Sequence, residues 1–418
     1  MEDIKELLIK YVDEHQDELI RTSSEMVRIP SEDPPSDTHA MVDYLINEIK
    51  DVEGITYQTY TKVEPKISLL VWLKGNGAGK KLVFNGHIDT FLVGSREGWD
   101  ADPFSGLIKD GKIYGRGSCD MKAAIAGYLV VLKAMAEYRD RWSGEICFTF
   151  ASDEESAGIQ GTQAILDEIP EALGDAMIKG DVGSPKVLKF GEKGFLDMEI
   201  RAVGKAAHGL HKYKGINAID RLMAVLQKIE AIEQTPVIMP EKVLKTILAG
   251  KEISESIDMP GEVENMQHIT VNVGKIEGGY IYSTIPANAA AQITIGIPIG
   301  MTLTEVKDKV ISIIQESEGI SYHVFSETEP SWTDPEETIF GIMHQNTEAV
   351  LGEKAVISLR SGFDDSRFYR YKGIPAVLLG VTEHAMGDAN EYFEIQDMIN
   401  VTKIYLATAY DFLTGGKQ

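Results

Sequence analysis

Short apolar runs rich in β-branched residues alternate with longer helical patterns, and three of the runs end in acids or a histidine. Lys81 to Asn85 reads as a strand delivering Gly86-His87-Ile88-Asp89. Glu145 to Ala151 delivers Ser152-Asp153-Glu154-Glu155, and Ala176 to Lys179 delivers Gly180-Asp181. This rhythm predicts an α/β protein with a largely parallel sheet. In open α/β sheets ligands bind at the C-terminal strand ends, and His87 and Asp89 leave theirs two residues apart on one face. Met121 to Tyr138 reads as a buried helix, and Ile395 to Leu413 as a terminal amphipathic one.

From about Gly194 the pattern changes. Phe195 to Val203, Ile269 to Lys275, Ala290 to Ile297 and Tyr322 to Phe325 read as strands, with helices over Asn217 to Glu233 and Leu303 to Ser317. That β-α-β-β-α-β order predicts a ferredoxin-like α+β insert. The expected organisation is a discontinuous catalytic domain over 1–194 and 328–418, with a lid domain over 195–327. A chain of 418 residues has room for two or three such cores.

With 41 Lys and Arg against 65 Asp and Glu, the net charge is −24. That sign disfavours nucleic acid and anionic membrane surfaces as partners. An anionic small substrate stays admissible, because a bound divalent cation inverts the field locally. Cys119 and Cys147 are the two cysteines, too few to staple the chain, which predicts a reducing cytoplasm. Met1 to Ile20 carries acids and helix-spaced apolar residues, with no export signal. The longest apolar run, around Ala123 to Leu132, falls short of the roughly 20 residues that span a bilayer.

His87, Asp89, Asp120, Glu154, Glu155 and Asp181 all fall at strand ends or in the loops beyond. Acids gathered at one sheet edge repel each other unless cations lie between them. Imidazole with several carboxylates and no thiol pair suits Zn²⁺, Co²⁺ or Mn²⁺, and two such ions can share a bridging carboxylate and activate a water.

With these residues the chain resembles the dinuclear zinc aminoacylase, deacylase and carboxypeptidase family that includes acetylornithine deacetylase and succinyl-diaminopimelate desuccinylase. The resemblance rests on six segments in the family's order, spread over nearly the whole chain. They are Gly86-His87-Ile88-Asp89, Gly115-Arg116-Gly117-Ser118-Cys119-Asp120-Met121-Lys122, Asp153-Glu154-Glu155-Ser156, Gly180-Asp181, Ala206-Ala207-His208-Gly209 with Gly215-Ile216-Asn217-Ala218, and Ser361-Gly362-Phe363-Asp364-Asp365-Ser366-Arg367-Phe368.

The resemblance implies a zinc-exopeptidase-like α/β catalytic domain with an inserted lid that dimerises. It assigns His87, Glu155 and Asp181 to one metal each, Asp120 to both, and Asp89 to orienting His87. Glu154 would be the general base, His208 would polarise the scissile carbonyl, commonly from the partner subunit, and Arg367 would hold a substrate carboxylate. A cis peptide is expected at Asp120-Met121. The chain departs from the family in two places. Gly387 stands where the family's last ligand histidine precedes Asn390-Glu391-Tyr392; His384, seven residues before Glu391, takes that role if the loop carries an insertion, and otherwise the second metal is weakly held or absent. In the lid, Tyr282-Ser283-Thr284-Ile285-Pro286 stands where the family often has Asn before an apolar-Ile-Pro, and the position of a nearby family arginine falls within Ile295-Gly296-Ile297, which has none.

Plainer readings exist for several of these residues. Asp181 can cap a turn, Glu154-Glu155 can be a solvated loop, and His208, beside His211, can be an ordinary surface residue. Arg367 can pair with Asp364 or Asp365. Cys119 reads as a small buried side chain, and Gly75 to Lys80 as a turn lacking the spacing of a phosphate loop. The expected function is a metal-dependent amidohydrolase that cleaves N-acyl amino acids or short peptides through a metal-activated water, with two divalent ions, Zn²⁺ first. The rival readings are a dipeptidase or aminopeptidase on the same framework, and a degenerate binding protein.

Overall fold

The computed structural model describes residues 4–415; the first and last three residues of the expected domains lie outside them. The chain forms two compact units, one of Met1–Phe190, Thr333–Ser358 and Asp364–Gln418, the other of Gly191–Trp332 and Leu359–Phe363.

The first unit is built on a mixed sheet. Its strands run in the order Ile55–Val63, Lys66–Lys74, Glu145–Ala151, Lys81–His87, Ala176–Lys179, Ala376–Leu378, Val187–Glu192. The central strands are parallel, with His87 opposite Ala151 and Asn85 opposite Lys179. Parallel pairing carries all their C-terminal ends to one edge, which is why the three acid-bearing loops come out together. The outer strands Ile55–Val63 and Lys66–Lys74 are antiparallel.

Helix Ala123–Glu137 is apolar nearly all round, and twelve of its fifteen residues are buried, as that composition dictates. It packs with the C-terminal helix Ile395–Thr414, which also meets Thr338–Leu351 and Ile4–Glu14. Phe84, Tyr128, Phe148 and Tyr405 form an aromatic cluster beneath the loop edge, with the Phe84 and Phe148 rings stacked at 5.1 Å. The tyrosine hydroxyls avoid an unpaired burial by donating to the Asn85 and Leu379 carbonyls.

The second unit holds a four-stranded antiparallel sheet in the order Thr270–Gly278, Asn288–Ile297, Gly194–Val203, Ile320–Thr328. Period-two alternation turns Leu196, Met198, Ile200 and Ala202 into a core with helices Ala218–Glu230 and Leu303–Gln315. Asn217 caps the first of these helices, and a Thr302/Glu305 capping box starts the second. Between the first helix and the second strand the chain adds helix Glu241–Ile257, which the expected β-α-β-β-α-β order did not contain.

Candidate metal centre

The parallel strands place His87 at the end of Lys81–His87 and Asp181 just past Ala176–Lys179. Asp120 comes from the turn Ser118–Lys122, where the peptide to Met121 is cis. One ligand atom from each of the three lies within 4.8 Å of the others, and all three residues are buried. Gly180 makes the approach of Asp181 possible, since a Cβ there would stand 2.6 Å from the Ala124 Cβ and 2.8 Å from the Tyr128 hydroxyl. Gly117 opens the Asp120 turn at φ 76°, a conformation side chains resist.

The His87 ring is fixed from both sides. Its Nδ1 lies 3.0 Å from the Asp89 carbonyl oxygen, and its Nε2 lies 2.9 Å from Asp120 Oδ1. A carbonyl can only accept, so the neutral imidazole carries its proton on Nδ1 and aims the Nε2 lone pair at a carboxylate. That arrangement calls for a cation between them. Burial pushes the imidazole pKa down, yet hydrogen bonding to Asp120 and Asp89 and the charge of Glu154 carry it well above its usual value. A divalent ion satisfies the same demand, and one imidazole with two carboxylates is a donor set that fits it.

Asp89 serves the next loop as well as the histidine. Its carboxylate accepts the backbone N–H groups of Glu154 at 3.3 Å and Glu155 at 3.1 Å. Glu154 is 8% exposed. Burial drives its carboxyl well up, opposed by His87 and Lys179. Glu155 is driven up by burial and then by Asp120, and its Oε1 is buried without a hydrogen-bond partner among the described residues.

The structure does not bring His384 into the converging group. Its ring is partly buried and stacks on Tyr392 at 4.3 Å and 6°. Arg367 is 2% exposed, and its donors go to the carbonyls of Asp364 at 2.6 Å and Ala157 at 2.5 Å, while the guanidinium lies over the Phe368 ring. His208 is exposed in the second unit. Its Nδ1 accepts the Leu210 N–H at 3.3 Å, which leaves the proton on Nε2, pointing away as a donor.

Three residues were missed from sequence. Arg116 and Glu391 form a buried pair around the Asp120 turn. Lys179, fully buried, stands 3.7 Å from Asp181 Oδ2. Burial opposes the charge of that ammonium, and Asp181, Asp365, Glu154 and Asp364 more than restore it.

Comparison with known proteins decides the family, because the model of peptidase family M20/M25/M40 matches residues 83–411. The chain belongs to that family. It is a metal-dependent hydrolase acting on the amide bonds of acyl amino acids or peptides. A succinyl-diaminopimelate desuccinylase of Rhodospirillum centenum is 24% identical over 409 residues, covering 95% of this chain and 98% of the relative. The M20 metallo-carboxypeptidase of Sulfolobus solfataricus superposes with a TM-score of 0.81 at 19% identity, over 94% of this chain and 99% of that one. Human carnosine dipeptidase 1 superposes at 0.78 with 17% identity, over 98% and 99%. The α/β fold with an inserted α+β domain is thus the M20 architecture. Among the described residues no helix is long and apolar enough to cross a membrane.

Proposed function

We propose that this chain is a cytoplasmic, homodimeric deacylase or peptidase that uses two divalent ions, Zn²⁺ or else Co²⁺ or Mn²⁺, to release a free amine from N-acyl amino acids or short peptides. The observation that carries the reading is the convergence of His87, Asp120 and Asp181 beside the buried carboxyl of Glu154.

In this reading His87 and Asp181 each hold one ion and Asp120 holds both. Glu155 and His384 complete the second set, Glu155 supported by its unpartnered buried oxygen and His384 by its place just past strand Ala376–Leu378. Bound ions supply Lewis acidity and lower the pKa of an attacking water. The remaining work falls to the chain. Asp89 holds the His87 ring through its carbonyl and the Glu154-Glu155 backbone through its carboxylate. Glu154 takes the proton of the water on its carboxylate and delivers it to the leaving amine. A burial-raised carboxyl suits both halves of that transfer. His208 of the partner subunit is the proposed donor, through Nε2–H, to the developing oxyanion. Arg367 is the proposed anchor of the substrate carboxylate, although two backbone carbonyls already engage its donors.

The test is metal content per chain for wild type and His384→Ala, together with hydrolysis of a panel of N-acyl amino acids and dipeptides. Two ions falling toward one in the variant, with turnover lost, is the expected result. One ion or none in metal-replete wild type, with no panel member turned over, overturns it.

A further inference from the structure

Lys179 ends a strand whose four residues are all buried, and its side chain is inaccessible. Among the described residues its Nζ has no hydrogen-bond partner, and Asp181 Oδ2 lies 3.7 Å away. The carboxylates of Asp365, Glu154 and Asp364 also act on it. Removing an ammonium from water is costly unless opposite charge surrounds it, so a lysine at a position where an apolar residue would serve the sheet calls for a reason. Substrate binding is not that reason, because no surface of the side chain can be reached. Nucleophilic chemistry needs a free electron pair, which an ammonium among four carboxylates does not offer.

The geometry of Asp181 supplies the reason. One of its oxygens accepts the Val182 N–H at 2.7 Å, and the other faces Lys179. A carboxylate shared with a fixed cation donates less charge to a second cation. We propose that Lys179 is a positioning residue that takes part of the Asp181 charge, so that the ion held by His87, Asp120 and Asp181 is bound more loosely and stays more electron-withdrawing. This rests on the reading of those three residues as metal ligands. Lys179 therefore trades metal affinity for Lewis acidity, through a charge held in place by the surrounding acids. Asp365 Oδ1 and Asn85 Oδ1, buried without partners, belong to the same neighbourhood: Asp365 acts on Lys179 and Asn85 pairs with it across the sheet. Neither completes the ammonium's hydrogen bonding.

The experiment measures the dissociation constant of Co²⁺ by competition with a chromophoric chelator, and the visible spectrum of bound Co²⁺. It uses the full chain as wild type, Lys179→Met and Lys179→Arg. Methionine keeps the length and removes the charge, whereas arginine keeps the charge. Removing one charge at a partly screened separation is worth about a decade in an equilibrium constant. Lys179→Met is expected to bind Co²⁺ about tenfold more tightly, with a shifted Co²⁺ spectrum and slower turnover, while Lys179→Arg stays near wild type. Unchanged or weaker binding in Lys179→Met, or equal shifts in both variants, overturns the proposal. Absence of Co²⁺ binding in wild type instead overturns the ligand assignment beneath it. Should Lys179→Met not fold, Lys179→Gln removes the charge with a shorter polar side chain and carries the same expectation.

Discussion

Arg116 Nη1 donates to Glu391 Oε2 at 2.5 Å inside the protein, where both side chains are all but inaccessible. The other Glu391 oxygen accepts the Cys119 N–H at 3.1 Å, and a second Arg116 nitrogen donates to the Gly387 carbonyl at 2.7 Å. The pair therefore clamps the turn that presents Asp120. Truncating one member of a buried pair strands the other charge, at a cost of about 3–5 kcal/mol. Glu391→Ala is expected to lose stability of that order in urea unfolding of the metal-free protein. It is also expected to bind metal more weakly, because Asp120 is no longer held. An unchanged metal dissociation constant in a folded variant would detach the clamp from the site.

Glu154 and Asp181 are both buried acids at the sheet edge, and they separate by what they do to metal. Glu154→Gln removes the proton acceptor and leaves the His87, Asp120 and Asp181 group whole. Loss of a general base costs about 10²–10⁴-fold. The expected outcome is a kcat lowered by that factor at unchanged metal content, whereas Asp181→Ala loses metal and activity together. Loss of metal in Glu154→Gln would move Glu154 from base to ligand.

The metal group was legible because each member ends a strand or sits in a motif of fixed order, and parallel pairing does the rest. Lys179 was not, since a lysine closing a short strand reads as the point where the chain returns to water. Arg116 and Glu391 lie 275 residues apart, and only the fold joins them. Arg367 carried a family role on its residue type, yet its hydrogen bonds depend on where the Ala157 carbonyl falls. Helix Glu241–Ile257 escaped notice because its buried residues include Gly250 and Ser254 beside Val243 and Ile247, which blurs the apolar stripe. Leu359–Phe363 joining the second unit is likewise invisible in a segment read as one continuous motif.

Lys193, in the second unit, is 4% exposed, and its ammonium donates to the Asn265 and His268 carbonyls and the Thr270 hydroxyl. Burial, opposed by Glu233, still pushes its pKa down to about 8. The unfolded chain, with an ordinary lysine value, binds more protons than the folded one between about pH 8 and 10.4. The contribution of Lys193 to unfolding free energy therefore rises with pH across that window. Denaturant titrations of wild type and Lys193→Met at intervals from pH 7 to 10.5 are expected to give a difference curve that climbs in favour of wild type. A flat difference would mean that the three acceptors hold the lysine at its ordinary value.

Gly180 offers the sharpest test of how the sheet edge builds the site. A Cβ there would stand 2.8 Å from the hydroxyls of both Tyr128 and Tyr405, and those hydroxyls cannot retreat without giving up their bonds to the Asn85 and Leu379 carbonyls. Overpacking of this kind costs about 1–3 kcal/mol, and strand Ala176–Lys179 has two ways to absorb it. If the tyrosines yield, Gly180→Ala loses stability in thermal unfolding and keeps its metal. If the strand yields, Asp181 moves away from His87 and Asp120, and metal content falls with stability. The second outcome is expected, because the rings are held in an aromatic cluster by tilted and edge-on contacts, whereas Asp181 lies in the loop just beyond the strand end. Full metal occupancy in a destabilised Gly180→Ala would show that the tyrosines yield and Asp181 keeps its place.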